Sequence, residues 1–409
     1  MTSPSATPAS IRTHNLSLVL NLIWKLGIMS RTDIIRETNL SASAISALVN
    51  VLLDSGFIVE TGVGKSSGGR RPVLLEFNPQ VRYALGVDVG SSHITAIVMR
   101  LDGTIIAQDT LRMDVISQPT ETFNVVERIV NQLMKKVGIS FLDCLGMGIT
   151  LPVPMTGENH DHMMTYYMPD WEARLPIEEL EQRFQMPILF ENDANGGVVA
   201  EQYWGMGKNH ENLALVKLGT GVGCGLVING CLFRGHRGSA GEIGHTTIEP
   251  NGRLCRCGNK GCIESYVGIP GVITEVRERY EAKSLPIPLE EPLTIEAIVA
   301  ASQNGNKICQ EVIRDAGNYL GIAVANLLNM VNPSLVVLGG ELVFAGDLLL
   351  DSMRATLEER VIPIESQQSE LAVSQLGDTV VALGAATVVI HHAFLPANII
   401  KTLAKKESE

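Results

Sequence analysis

One pattern of strands and glycine turns occurs twice in this 409-residue chain, and it constrains the fold more than any other feature. The first copy is an apolar run at residues 83–90 (YALGVDVG) ending in a Gly-Ser-Ser turn. It continues with a strand at 94–100, an Asp102-Gly103 hairpin turn and a third strand at 104–108. The second copy is a run at 213–218 (LALVKL), the loop Gly219-Thr220-Gly221-Val222-Gly223, a strand at 226–228, an Asn229-Gly230 turn and residues 231–234. Short apolar runs joined through Asp-Gly or Asn-Gly read as antiparallel hairpins. Two such units far apart in one chain predict two α/β lobes about a cleft. Helical spacing over 122–136 and 310–330 supplies one long helix to each lobe. Residues 336–340 (VVLGG) read as a strand ending in Gly339 and Gly340, and 384–393 as a packing helix.

Chemistry concentrates between residues 241 and 264, GEIGHTTIEPNGRLCRCGNKGCIE. His245 precedes Cys255, Cys257 and Cys262 in the order H-x9-C-x-C-x4-C. Three thiolates and one imidazole suit a closed, tetrahedral structural zinc site with no position left for a reactive water. The alternative is a thiol cluster without metal. With seven cysteines, an odd number of which three belong here, a disulfide framework is not expected. Glu242, Glu249 and Glu264 lie near the ligands, and Glu242 and Glu264 flank them closely. Carboxylates on a metal-braced loop suit recognition of neighbouring hydroxyls, as in a sugar. Elsewhere, Glu191-Asn192-Asp193-Ala194-Asn195 follows a short strand at 187–190 and opens a helix. An Asp at such a helix start can take a proton from a hydroxyl as general base in phosphoryl transfer, or can simply cap the helix.

The amino-terminal residues read differently. Leu16, Val19, Leu20 and Ile23 predict a first helix over 15–25. Ser30 and Asp33 predict the capped start of a second. Ser41 caps a third, whose buried stripe is Ile45, Leu48, Val49, Leu52 and Leu53. Two helices joined by a short turn form a helix-turn-helix pattern. Ser41, Ser43, Ala44, Ser46 and Ala47 are small enough to let the last helix approach a major groove. Residues 57–59 and 73–75 look like the strands of a wing, and Arg70 and Arg71 stand at its edge, where a phosphate backbone or narrow minor groove would lie. A small helical domain for protein contacts is the blander alternative.

These motifs resemble the ROK family (repressors, open reading frames and sugar kinases). Its ExGH and CxCGxxGCxE patterns match Glu242-Ile-Gly244-His245 and Cys255 to Glu264, and SGGRRP after the wing matches ROK-type repressors. The resemblance covers roughly residues 12–390. It implies a winged helix-turn-helix followed by the two-lobed, actin/hexokinase-like ATPase fold with a structural zinc loop. It also implies that Glu242 and Glu264 contact sugar hydroxyls, that His245 binds zinc through one ring nitrogen and faces the sugar with the other, that Asp193 is the kinase base, and that Asn192 is a neighbouring sugar ligand. Gly339 and Gly340 fall where the family contacts adenosine. ROK kinases usually carry DxGGTK at the first turn, whereas here Asp88, Gly90 and Ser92 remain and the second glycine and the lysine are gone. Gly219, Thr220 and Gly221 of the second loop are retained. Val153 stands where family members commonly have a glycine beside the sugar.

Net charge is −12 overall, yet residues 1–80 carry seven Lys/Arg against five Asp/Glu. A mildly basic head on an acidic body fits one DNA-binding module attached to something else. The expected division is a disordered start (1–10), the winged helix-turn-helix (11–80), lobe one (81–197), lobe two with zinc loop 241–264 (198–400), and a solvated tail (401–409). No signal peptide is expected, the apolar windows at 16–29 and 320–331 are too short to span a bilayer, and a cytoplasmic protein follows. The reading is a sugar-responsive transcriptional repressor of carbohydrate-utilisation genes. It would act as a homodimer on a pseudo-palindromic double-stranded operator and respond to a sugar or sugar phosphate. The competing reading is a sugar kinase using ATP and Mg2+, with the head secondary.

Overall fold

A computed structural model describes residues 7–64, 71–155, 168, 171, 176–362 and 369–404. The head comprises α1 (Pro8–Leu26), β1 (Met29–Ser30), α2 (Arg31–Thr38), α3 (Ala42–Asp54), β2 (Ile58–Val63) and β3 (Val73–Phe77). Ser30 and Asp33 form a reciprocal capping box on α2. Ser41 Oγ accepts from Ala44 N at 3.2 Å to start α3. Ile45, Leu48, Val49 and Leu52 form the buried face of α3, while Leu53 is only half-buried. The wing has three strands in the order β1-β3-β2, because Met29 and Ser30 pair with Leu75 and Leu74.

The first helix begins earlier than expected, so residues 8–10 are not a disordered start. Thr7 accepts from Ser10 N, and Pro8 opens the helix, where its missing N–H costs nothing and its fixed φ is already helical.

The body contains two five-stranded sheets. Sheet one is built from β4 (Tyr83–Val89), β5 (His93–Arg100), β6 (Ile105–Arg112), β7 (Cys144–Leu151) and β8 (Ile188–Asn192). Sheet two uses β9 (Leu213–Leu218), β10 (Val222–Ile228), β11 (Cys231–Leu232), β12 (Leu335–Gly339) and β13 (Glu370–Val373). Their orders, β6-β5-β4-β7-β8 and β11-β10-β9-β12-β13, are the same plan executed twice. In each, the first three strands are antiparallel and the last two run parallel to the first. The duplication legible in the turns therefore extends to whole sheets.

Lobe one adds α4 (Pro119–Val137) and α5 (Ile177–Phe184), and α6 (Asp193–Trp204), which follows β8, packs on β9 and β10 of sheet two. Lobe two adds α7 (Glu264–Val267), α8 (Ile269–Ala282), α9 (Ile295–Gln303), α10 (Lys307–Val331) and α11 (Asp347–Arg360). The chain then ends in α12 (Val380–Phe394) and α13 (Ile399–Leu403).

These last helices do not sit where the linear division put them. α12 packs on β4, β7 and α6, so it returns to the first sheet rather than completing the second. Glycines permit this approach: a Cβ on Gly384 would lie 1.7 Å from Gly196 O, which joins α12 to α6 backbone against backbone. A boundary at 197/198 would also cut α6 in the middle. Residues 401–403 are helical rather than a free tail, with Leu403 buried against the same core, and 405–409 lie outside the described residues. Among the described residues, one helical stretch, Gly377–Phe394, is long and apolar enough to cross a membrane, and 67% of it is buried inside the protein as a core helix.

The head shares a hydrophobic core with the body. Leu16, Leu20, Phe57 and Phe77 belong to the same buried cluster as Leu101, Ala386 and Phe394. Trp24 stacks on Tyr203 at the end of α6, with centroids 5.2 Å apart and planes at 19°. Its Nε1 donates to Leu101 O at 2.8 Å, and Ser17 Oγ donates to Phe394 O at 2.6 Å. Aromatic pairs of this kind add about 0.5–1.5 kcal/mol each beyond the area that they bury.

Candidate sugar cleft and metal centre

The zinc-loop residues converge. Ligand atoms of His245, Cys255, Cys257 and Cys262 all lie within 4.8 Å of one another. Cys255 Sγ is 3.6 Å from His245 Nδ1, and Cys257 Sγ is 3.6 Å from Cys262 Sγ. Sulfurs about 2.3 Å from a tetrahedral zinc stand about 3.7 Å apart, so the cage has the dimensions of that ion. His245 Nδ1 faces the cysteines, and Nε2 points the other way, 3.8 Å from Glu242 Oε2. The two ring nitrogens thus face different neighbours, the cysteines and Glu242.

Glu242 and Glu264 border the same space but differ in engagement. Burial pushes Glu242 up to about 7, the Asp193 and Glu264 carboxylates add to this, and Arg256 opposes it. Glu264 is buried at the start of α7 and already bonded. Its carboxylate accepts from Arg256 Nε at 2.7 Å and Nη2 at 3.1 Å, and from Val222 N at 3.1 Å. Gly221 lies directly against this pair, where a side chain would strike Glu264 Oε2. Gly219 and Thr220 complete the turn, with Gly219 N donating to Gly221 O at 3.0 Å. Glu249 is exposed outside the cleft.

Opposite them stands the start of α6. Asn192 is its cap, accepting from Asn195 N at 3.1 Å, so capping does not fall to Asp193. Asn192 Nδ2 also donates to Val153 O at 3.1 Å, which engages the backbone carbonyl of the residue standing in place of the family's glycine. Asp193 is buried in the first turn and accepts from Ala194 N through Oδ1 at 2.7 Å.

Sequence reasoning passed over the partner of Asp193. Lys217 Nζ donates to Asp193 Oδ2 at 2.6 Å. Lys217 is the last but one residue of β9, and its neighbours across the sheet are Gly223 and Gly339, which leave its stem room. Burial disfavours its charge, but Asp193, Asp88 and Glu341 outweigh burial and hold its pKa above the ordinary value. Gly340, after β12, packs on Leu218 beside it in a left-handed conformation (φ 97°) that favours glycine. The missed signal was a lone lysine in an otherwise apolar strand, since a charge there requires a partner.

His93 is the second omission. It occupies the position of the kinase lysine in DxGGTK and folds back, its Nε2 3.2 Å from Asp88 Oδ2. Gly90 makes space for it, because a Cβ there would come within 2.5 Å of the imidazole ring. Asp88 is buried and also accepts from Thr150 Oγ1 at 3.1 Å. Burial would push its pKa up, but His93, Lys217 and Thr150 overcome this and lower it. The bond to Asp88 raises His93 against the effect of burial. Ser92 is exposed on the turn.

In the head, Ser41, Ser43 and Ser46 are exposed along one side of α3 and Ala44 is half-buried. Ser41 Oγ and Ser43 Oγ are 3.1 Å apart. Arg71 is exposed just before β3, and Arg70 lies outside the described residues.

Comparison with known proteins bears on this architecture. The model of the ROK family matches residues 84–392. The chain belongs to the ROK family. The xylose repressor of Bacillus subtilis (strain 168) is 32% identical over 384 residues, covering 93% of this chain and 96% of the repressor. A ROK family transcriptional regulator described as a homolog of the E. coli MLC protein superposes with a TM-score of 0.79 at 27% identity, over 96% of this chain and 99% of its own. A ROK family glucokinase from Streptomyces griseus, in complex with glucose and AMPPNP, has a TM-score of 0.65 at 26% identity. It covers 98% of its own length but 75% of this chain. The similarity to ROK regulators thus extends over the head as well as the lobes, and within the family this chain falls with the transcriptional regulators.

Proposed function

We propose that this protein is a transcriptional repressor of sugar-utilisation genes, released from its operator when a sugar enters the cleft between the lobes. The observation that carries the regulatory reading at the cleft is the Asp193–Lys217 pair. A general base must accept a proton, and protonating Asp193 would leave the half-buried Lys217 ammonium against a neutral acid, which opposes that step. Asp88, which a kinase would need free on the nucleotide side, is held by His93 and Thr150. In this reading Asp193, Asn192, Glu242, His245 and Glu264 bind hydroxyls, with the carboxylates as acceptors, and a zinc ion held by His245, Cys255, Cys257 and Cys262 braces the loop. ATP and Mg2+ have no role.

The head supports the output. Ser41, Ser43, Ala44 and Ser46 would face the major groove, and Arg70 and Arg71 the backbone or minor groove. Two heads in a homodimer would match the two halves of a pseudo-palindrome in cytoplasmic DNA. Mobility-shift titration with DNA from the protein's own gene neighbourhood tests this reading. Arg70→Ala with Arg71→Ala should weaken binding and reduce the salt slope by about 1.8, the value for two lost phosphate contacts. Unchanged DNA affinity would reduce the wing to a linker, and measurable sugar-dependent ATP turnover by the wild type would restore the kinase reading.

A further inference from the structure

We infer that Arg234 is a positioning residue of the cleft, acting through Glu191 on the corner that presents Asn192 and Asp193. This deepens the sugar-binding reading above and rests on it. Glu191 lies in β8, an edge strand of sheet one, and its side chain is only 4% exposed. Arg234 follows β11, an edge strand of sheet two, so the pair joins the edges of the two sheets. Arg234 Nε and Nη2 both donate to Glu191 Oε2, at 2.9 and 2.6 Å. The other oxygen, Oε1, accepts from Asn192 N at 3.0 Å and from Asn195 Nδ2 at 2.9 Å. Asn195 turns its amide nitrogen to this carboxylate even though its own Oδ1 is left buried, with no partner among the described residues.

A carboxylate buried this deeply stays charged only if it is paired, and Arg234 is the cation that pairs with it. While charged, Glu191 fixes the backbone of Asn192 and the first turn of α6. That turn in turn sets Asn192 on Val153 O and Asp193 beside Lys217. Arg234 has a second hold through its backbone. Its carbonyl accepts from Ala240 N at 3.1 Å, closing a loop just ahead of Glu242. One residue therefore ties together both halves of the proposed ligand set. Its side chain holds the corner with Asn192 and Asp193, and its main chain anchors the segment that leads to Glu242 and His245. Ligand groups drawn from separate elements bind well only if their spacing is held beforehand. Without Arg234, Glu191 is buried and unpaired, and its grip on Asn192 N weakens.

The test is isothermal titration of the full-length, zinc-replete protein with D-xylose, D-glucose and N-acetyl-D-glucosamine. Arg234→Gln should weaken whichever sugar the wild type binds by about tenfold or more, with zinc content and sugar-free operator affinity unchanged. Arg234→Lys restores one charged donor and should recover several-fold of that loss. Glu191→Gln keeps an acceptor for Asn192 N and needs no cation, so adding Arg234→Gln to it should change affinity by less than about twofold. An Arg234→Gln affinity within about twofold of the wild type overturns the inference and leaves the sugar-binding reading standing. An undiminished loss in the Glu191→Gln background also overturns it, because Arg234 would then act on the sugar directly. So does an Arg234→Lys variant as weak as Arg234→Gln with both melting temperatures lowered, which would reduce the pair to a folding contact. If none of these sugars binds the wild type, the sugar-binding reading itself fails, and this inference falls with it.

Discussion

The two walls of the cleft descend from the same strand-turn-strand plan and have diverged in opposite directions. On the second-lobe wall, Gly219-Thr220-Gly221 is intact, and the adjoining loop is gathered round a four-ligand cage that fixes His245, Glu242 and Glu264. On the first-lobe wall, the turn after β4 has lost its second glycine and its lysine, and Asp88 is capped from within by His93 and Thr150. Lys217 reaches across from β9 to Asp193 and acts on Asp88 as well. The wall that would recognise hydroxyls keeps its parts, while the wall that would drive phosphoryl transfer is filled with internal ion pairs. In the reading proposed above, recognition and catalysis are separable in this fold, divided by a few charge substitutions.

The contrast can be attacked at its strongest point first. Cys257→Ser opens the cage, and the protein should lose about one equivalent of zinc and essentially all sugar binding, because ligand loss releases the loop carrying Glu242 and Glu264. Metal analysis beside calorimetry checks both, and full sugar affinity in a zinc-free mutant would remove the brace from the account.

On the other wall, Lys217→Met keeps the stem and deletes the ammonium, leaving Asp193 without its ion-pair partner while Asp88 keeps His93 and Thr150. Breaking this partly buried pair should cost about 1–3 kcal/mol of stability by denaturant titration. A loss below about 1 kcal/mol would mean that the pair is solvated and does not neutralise the base.

Asp193→Asn retains one acceptor oxygen and should cost about 1.5–3 kcal/mol of sugar affinity, the range for a charge-assisted bond. DNA binding without sugar should be unaffected. Wild-type turnover that the mutation abolished without altering affinity would reverse the contrast.

The smallest effect is on pH dependence. The folded pKa of His93 is raised above 6.5, so its contribution to stability is complete below that value and lost as pH rises through the folded pKa. Asp88 is lowered below 3.8, so its share is present above that value and lost only as pH falls through the folded pKa. Melting temperatures at about pH 6 and pH 9 should therefore differ more in the wild type than in His93→Gln. Equal differences in the two proteins would show that His93 does not charge on folding.

Much of this was legible in the residues themselves. The paired hairpins, the helix caps at Ser30 and Ser41 and the metal ligands are local patterns, set by turn chemistry and spacing, and each appears where its residues placed it. What stayed hidden depends on partners distant in sequence. Lys217 gained meaning only through Asp193, and His93 only through its return to Asp88. Nothing local to α12 says that Gly384 will meet Gly196, so the return of the chain to the first sheet was invisible. The packing of the head on the body stayed hidden for a related reason. Its helices are readable one at a time, but Trp24 is a surface residue of an isolated head and an interior one once Tyr203 and Leu101 are present.

That last contact limits how such a protein can be recombined. α6 begins at the proposed sugar ligands Asn192 and Asp193, touches α12 backbone to backbone in its first turns, and ends at Tyr203, on which Trp24 of the head is stacked. One helix thus spans from the proposed sugar ligands to the head. The amino-terminal residues are not an interchangeable cassette, because a foreign head brings its operator preference but not the aromatic face cut to fit Tyr203.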